Sequence, residues 1–301
     1  MTTMSSFPLR IHSPVIFIVN LLALYPDWRF IPLRPSFKFR LLLALCCGTL
    51  LCSSAALAAS APGLPSLPDA PASHLDQHSA VTIRNAPVQV LHQQAAIWTS
   101  PARMTRRDLL WLGPLAVATG VGIATDHHTM SSVVSRDPTF NQDNVNVSNA
   151  LIGGMIAAPV AFYGWGHFEG DTHARETGIL GAEALVDGVV VEQGMKLVFW
   201  RERPALHNAR GHFFEGDAGV DGSFPSSHAV LAWSSAAVIA GEYHNPWAQV
   251  GVYSAASAIS LTRVLGQQHF PTDVLVGSSV GWLIGHYVYK HFHRYNSPRL
   301  R

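Results

Sequence analysis

The sequence predicts an all-α protein: a bundle of about six apolar helices carrying a polar site at one end. Three observations predict it. Hydrophobic residues make up 48% of the 301 residues and charged ones 13%, against about 25% charged in an average soluble domain. Six apolar segments follow one another at 109–125, 149–166, 177–199, 228–241, 246–265 and 273–290. Clusters of Gly, Pro, Asn or Asp separate them, and nothing between shows sustained strand alternation. Finally, the chemically useful residues of the second half gather at segment boundaries.

Ahead of the bundle, Lys38-Phe-Arg40 precedes the apolar run Leu41 to Leu51, which ends in small residues through Ala59. A basic flank, a short apolar stretch and an Ala-x-Ala end describe a secretory signal peptide. Residues 1–58 are therefore read as leader and signal peptide or, given the second apolar patch from Val15 to Leu24, as an N-terminal membrane anchor. Cys46, Cys47 and Cys52 all lie in the apolar run. Its removal would leave no disulfide, no thiolate nucleophile and no Cys-based metal site. Residues 59–100 are rich in Ala, Pro and Ser, with Pro62, Pro65, Pro68 and Pro71 at regular intervals, and read as an extended linker. Residues 101–295 form the helical domain. A net charge of +1 gives no reason to expect nucleic acid as a partner.

A bilayer span takes roughly 17–25 residues. Segments 109–125 and 149–166 reach this without a charge, while 177–199 carries Glu183, Asp187, Glu192 and Lys196, and 228–241 is short. Such charges are tolerated in a membrane where they face a bundle interior. Cleavage near Ala58 puts the polar ends of the later segments on the cytoplasmic side, whereas Arg103, Arg106 and Arg107 favour a cytoplasmic start for segment 109–125 and an outward-facing site. A periplasmic, surface-docked domain or an uncleaved leader that crosses twice removes the conflict. Either way, the expectation is the bacterial cell envelope, with the site facing the periplasm.

Three polar clusters lie between 196 and 273. The first runs from Lys196 to Arg203-Pro204. Glu192, four residues before Lys196, predicts a helical ion pair. Arg203, seven residues after it, predicts a shared helix face closed by Pro204. The second is Ser223-Phe-Pro225-Ser226-Ser227-His228, where Ser226 and Ser227 open an apolar run. A helix start of this kind serves as an ordinary N-cap or, with its free N–H groups, as an anion site. The third runs from Thr262-Arg263 to His269-Phe-Pro-Thr-Asp273. There a helix-like turn would let Asp273 accept from one imidazole nitrogen of His269 and leave the other free to attack. Three cations, two imidazoles, a carboxylate and a Ser-rich helix start can hold a phosphate and attack it. Nine specified residues at ~5% each, sliding over this length, coincide by chance on the order of 10⁻⁵.

These residues resemble the three signature motifs of the type 2 phosphatidic acid phosphatase family, Lys-x6-Arg-Pro, Pro-Ser-Gly-His and Ser-Arg-x5-His-x3-Asp. That family belongs to a superfamily with bacterial acid phosphatases and vanadium haloperoxidases. Ser227 stands where Gly is usual and Thr262 where Ser is usual. The resemblance implies a helical bundle and hydrolysis of phosphomonoesters, with lipid phosphates or prenyl pyrophosphates as substrates. It implies His269 as nucleophile, Asp273 fixing its tautomer, and His228 as acid and then base. Lys196, Arg203, Arg263, Ser226 and Ser227 would bind the phosphoryl oxygens. It implies no metal and no cofactor, with a membrane as partner and the oligomeric state open. Alternatives are a soluble periplasmic acid phosphatase, a vanadium haloperoxidase, or a silent membrane protein on the same fold.

Three remaining features have blander readings. Residues 205–222, with four glycines and Phe213-Phe214, suit a lid or a plain surface loop. Glu183 and Asp187 read as helix-packing polars. Asp126-His127-His128 and the Asn/Asp-rich run 137–146 read as loops without metal-ligand spacing.

Overall fold

The computed structural model describes residues 81–214 and 221–295. The leader of 1–58, residues 59–80 and the 215–220 stretch of the proposed lid lie outside the described residues. The described residues form seven α-helices: α1 Ala86–Thr99, α2 Leu109–His128, α3 Pro138–Phe168, α4 Thr172–Phe199, α5 Ser227–Glu242, α6 Pro246–Leu265 and α7 Pro271–Phe292. No strand occurs among the described residues. The last six helices match the six apolar segments: α6 coincides with its segment, α3 begins eleven residues earlier than its segment, and the others run up to five residues beyond theirs.

Local chemistry sets the helix starts. Asp137 caps α3 by accepting from Phe140 N, and Asp171 caps α4 by accepting from His173 N and Ala174 N. Asn245 caps α6 by accepting from Trp247 N, with Pro246 in the first turn. Such oxygens satisfy N–H groups that the helix itself leaves without partners. Ser226, at the same position on α5, makes no such bond.

Helix α5 is the buried centre: fourteen of its residues, including Val230, Ala236 and Val238, are shielded from solvent. From α4 to α7 consecutive helices reverse direction, so α5 runs antiparallel to α4 and parallel to α7. Close approach to α7 depends on glycine. A Cβ on Gly281 or Gly285 would overlap the carbonyl oxygens of Val230 and Ser234, and one on Gly277 would crowd Ser226 O. That contact lets Ser226 N donate to Asp273 O at 3.1 Å, which ties the start of α5 to the start of α7.

Three expectations need correction. Residues 86–99, read as linker, form α1, which docks on α4. Gln93 donates to Glu183 at 2.8 Å and Gln94 to Asp187 at 2.7 Å. These bonds give the two carboxylates their packing role. Asp126 to His128 are the last turn of α2 rather than a loop, and residues 138–146 are the first turns of α3. Segments Leu109–Val133 and Pro138–Phe168 are long and apolar enough to cross a membrane. On α2 the apolar side chains face outward, with Leu110 79% and Val117 67% exposed. The charged residues of α4, from Glu176 to Lys196, face the bundle interior.

Candidate active site

The three clusters meet at one end of the bundle. Lys196, in the last turn of α4, is buried and donates to Ser227 Oγ at 2.7 Å. Ser227 in turn donates to Glu192 at 3.0 Å, and Lys196 lies 3.4 Å from the same carboxylate. The expected Glu192–Lys196 ion pair therefore forms, with the Ser227 hydroxyl set between its members. Arg203 does not share the helix face. The helix ends at Phe199, and Trp200 turns out of it in the left-handed region at φ 40°, a conformation uncommon for a residue with a Cβ. Arg203 arrives on the following loop, donating to Asp221 O at 3.1 Å and Gln268 Oε1 at 3.0 Å, both neutral oxygens.

At the start of α5, Ser226 is fully buried, and its hydroxyl has no hydrogen-bond partner among the described residues. Buried hydroxyls are normally satisfied, so this one is placed for an acceptor or donor that the described residues do not supply. His228 Nε2 lies 3.1 Å from Asn149 Oδ1, and Arg263 donates to that same oxygen at 3.4 Å and to Ser148 Oγ at 3.3 Å. Asn149 thus joins the histidine of α5 to the arginine of α6. An oxygen that accepts from Arg263 also accepts from His228 Nε2–H, which leaves Nδ1 of His228 free for chemistry.

His269 is buried in the turn between α6 and α7. Its Nδ1 donates to Ser223 O at 2.7 Å, while Asp273 Oδ2 is 3.7 Å away. The backbone carbonyl, rather than the carboxylate, therefore fixes the tautomer with the proton on Nδ1 and the lone pair on Nε2. Asp273 Oδ2 instead accepts from Phe270 N at 2.8 Å, and its Oδ1 from Arg201 at 2.6 Å. The reason is geometric. Pro271 opens α7 and Asp273 sits in its first turn, where its carboxylate reaches back to the N–H before the helix. Asp273 thus stands beside His269 without a close hydrogen bond to it.

Electrostatics follow from this crowding. Burial, then Arg263, Arg203 and Lys196, holds His269 well below its ordinary range. Burial, then Arg263, Lys196 and Arg203, does the same to His228. Both imidazoles are neutral near pH 7 in the substrate-free site. Burial pushes Asp273 up, and Arg201 pulls it back.

The residues missed from sequence form the base beneath His269. Arg201 is fully buried and bridges two carboxylates, donating to Asp273 at 2.6 Å and to Asp126 at 2.8 Å. It also donates to Thr272 Oγ1 at 2.8 Å, and Thr272 donates its hydroxyl to Asp126. The guanidinium lies over the rings of Phe213 at 4.6 Å and Phe270 at 4.0 Å. Phe213, read as part of a lid, is thus anchored at the base of the site. Thr262 faces elsewhere: its hydroxyl donates to Ala258 O at 2.8 Å within α6.

Residues 177–297 match the model of the PAP2 superfamily. A lipid A 1-phosphatase from Porphyromonas gingivalis is 35% identical over 104 residues, which is 34% of this chain and 20% of that protein's length. A crystal structure described as the first transmembrane PAP2 type phosphatidylglycerolphosphate phosphatase, from Bacillus subtilis, aligns over 71% of this chain and 97% of its own. The TM-score is 0.40 and the identity 16%.

Proposed function

Because residues 177–297 of this chain match the model of the PAP2 superfamily, we propose that it is a phosphatase acting on lipid phosphates through a phosphohistidine intermediate. The observation that carries this reading is the convergence of buried Lys196 and Arg263 and half-buried Arg203 on two neutral imidazoles and on the Ser226 hydroxyl, which has no partner among the described residues. A phosphate brings both the negative charge and the oxygens that such a cluster calls for.

The chemistry assigns each group one task. His269 Nε2, its lone pair held outward by the Nδ1–H bond to Ser223 O, attacks phosphorus in line with the leaving oxygen. The P–O bond breaks as the N–P bond forms. His228 Nδ1, protonated when the phosphate enters, delivers its proton to the departing alkoxide. The three cations and Ser226 hold the equatorial oxygens as charge spreads over them. The imidazolium formed on His269 lies 3.7 Å from Asp273, which stabilises it. In the second step, neutral His228 takes a proton from water, hydroxide displaces His269 from phosphorus, and inorganic phosphate leaves.

The lipid assignment rests on α2. Its apolar side chains face outward along its length, while Asp126 at its end joins the network under the site. Arg103, Arg106 and Arg107 precede α2 and favour a cytoplasmic start. That orientation puts the site end on the outer, periplasmic side of a bacterial inner membrane.

The test is phosphate release by purified protein from phosphatidic acid, a prenyl pyrophosphate, a lipid A phosphate and a soluble aryl phosphate, all in EDTA. Bromide plus peroxide with vanadate completes the panel. A lipid phosphate is the expected best substrate, and folded His269→Ala should release none. Full activity in that variant, or bromide oxidation without phosphate release, would overturn the reading.

A further inference from the structure

The end of the bundle away from the phosphate site gathers four ligating side chains from three helices. His173 and Glu176 sit in the first turns of α4, Glu242 is the last residue of α5, and His293 follows α7. The Glu242 side chain is fully buried, and that of Glu176 is 10% exposed. His293 Nδ1 lies 2.9 and 3.1 Å from the two Glu242 oxygens and 3.4 Å from Glu176 Oε1. One ligand atom each from Glu176, Glu242 and His293 falls within a 4.8 Å set.

Other contacts hold these groups in place. Glu176 Oε1 accepts from the backbone N–H of Arg294 and, at 3.0 Å, of Tyr295. His173 Nε2 is 3.0 Å from Glu242 Oε2, and its ring stacks on Tyr295 at 4.4 Å. Two buried carboxylates side by side repel each other unless a positive charge stands between them. One imidazole with two carboxylates is the nitrogen and oxygen set that zinc accepts, whereas calcium and magnesium favour oxygen alone.

We propose that Glu176, Glu242 and His293 form a binding site for a divalent transition-metal ion, zinc by chemical class, with His173 holding the second oxygen of Glu242. Bonds of about 2.0–2.2 Å to a tetrahedral ion set ligand atoms roughly 3.3–3.5 Å apart, a spacing the observed 2.9 to 4.8 Å spread brackets. The ion would pin the chain after α7 to the start of α4 and the end of α5. It takes no part in phosphoryl transfer at the opposite end.

The test uses the untagged full-length protein, stripped with chelator and dialysed against Zn²⁺, with Co²⁺ absorption as a second probe. About one ion per chain should bind and raise the melting temperature. Glu242→Gln should lose the ion. His293→Asn keeps a donor for Glu242 without an imidazole, and it should lose the ion while staying folded. His173→Ala should bind roughly 10–100-fold more weakly, as loss of an outer partner does. No stoichiometric ion in the wild type, or unchanged binding in Glu242→Gln and His293→Asn, overturns the proposal.

Discussion

The two ends of one helical bundle carry opposite electrostatics. At one end, α4, α6 and the loop after α4 bring Lys196, Arg203 and Arg263 around two buried histidines. At the other, α4, α5 and the chain after α7 bring Glu176 and Glu242 against His173 and His293. Burying like charges together is costly unless a partner of the other sign joins them. The contrast shows how the same bundle gathers basic side chains at one end and carboxylates at the other, the ends proposed here for an anion and a cation. In both cases residues at helix ends converge because consecutive helices from α4 to α7 reverse direction, which brings the ends of α4 and α6 to the starts of α5 and α7.

Within the anion end, the largest effect is expected at Arg201. Arg201→Met strands Asp126 and Asp273 as buried carboxylates with no guanidinium between them. Removing one partner from such a pair costs about 3–5 kcal/mol. Denaturant unfolding should show that loss, and activity should fall with it; at the cation end, His173→Ala should leave turnover unchanged. Gly281→Ala comes next. It pushes α5 away from α7 at Val230 and should cost about 1–3 kcal/mol, with a parallel loss of turnover because Ser226 and Asp273 move apart.

pH should separate the two histidines of the anion end. The cations hold His228 below its ordinary range, so its protonated fraction grows as pH falls. For a lipid phosphate, whose alkoxide needs that proton, kcat/KM should climb by up to about tenfold per unit between pH 8 and 6. An aryl phosphate with a good leaving group should give a flatter slope. The smallest effect belongs to Thr262→Ser. The hydroxyl bonds back into α6, so turnover should stay within about twofold of wild type, as for changes that touch no special feature.

The bundle was legible in the sequence because six apolar runs are punctuated by Pro, Gly, Asn and Asp, which cap or stop helices through local chemistry. The convergence of the three clusters was legible because each lies at a helix boundary, at the end of α4, the start of α5 and the turn between α6 and α7. Legibility failed where tertiary partners decide. Helix α1 looks like linker until Gln93 and Gln94 meet Glu183 and Asp187, residues 90 and 93 positions away. Arg201 sits inside the first cluster, yet nothing local distinguishes its inward path from the outward one. Asp126 at the end of α2 gains meaning only from Arg201 and Thr272. The 3.7 Å gap between His269 and Asp273 likewise follows from where α7 begins, which spacing alone does not reveal.

The central claim is that His269 takes the phosphoryl group. Rapid acid-free quenching of turnover with a ³²P-labelled aryl phosphate tests it most directly, using His228→Ala to slow the release step. The account predicts an acid-labile, alkali-stable label on the peptide containing His269, absent from His269→Ala. Labelling that persists in His269→Ala, or turnover in it at the wild-type rate, would contradict the account.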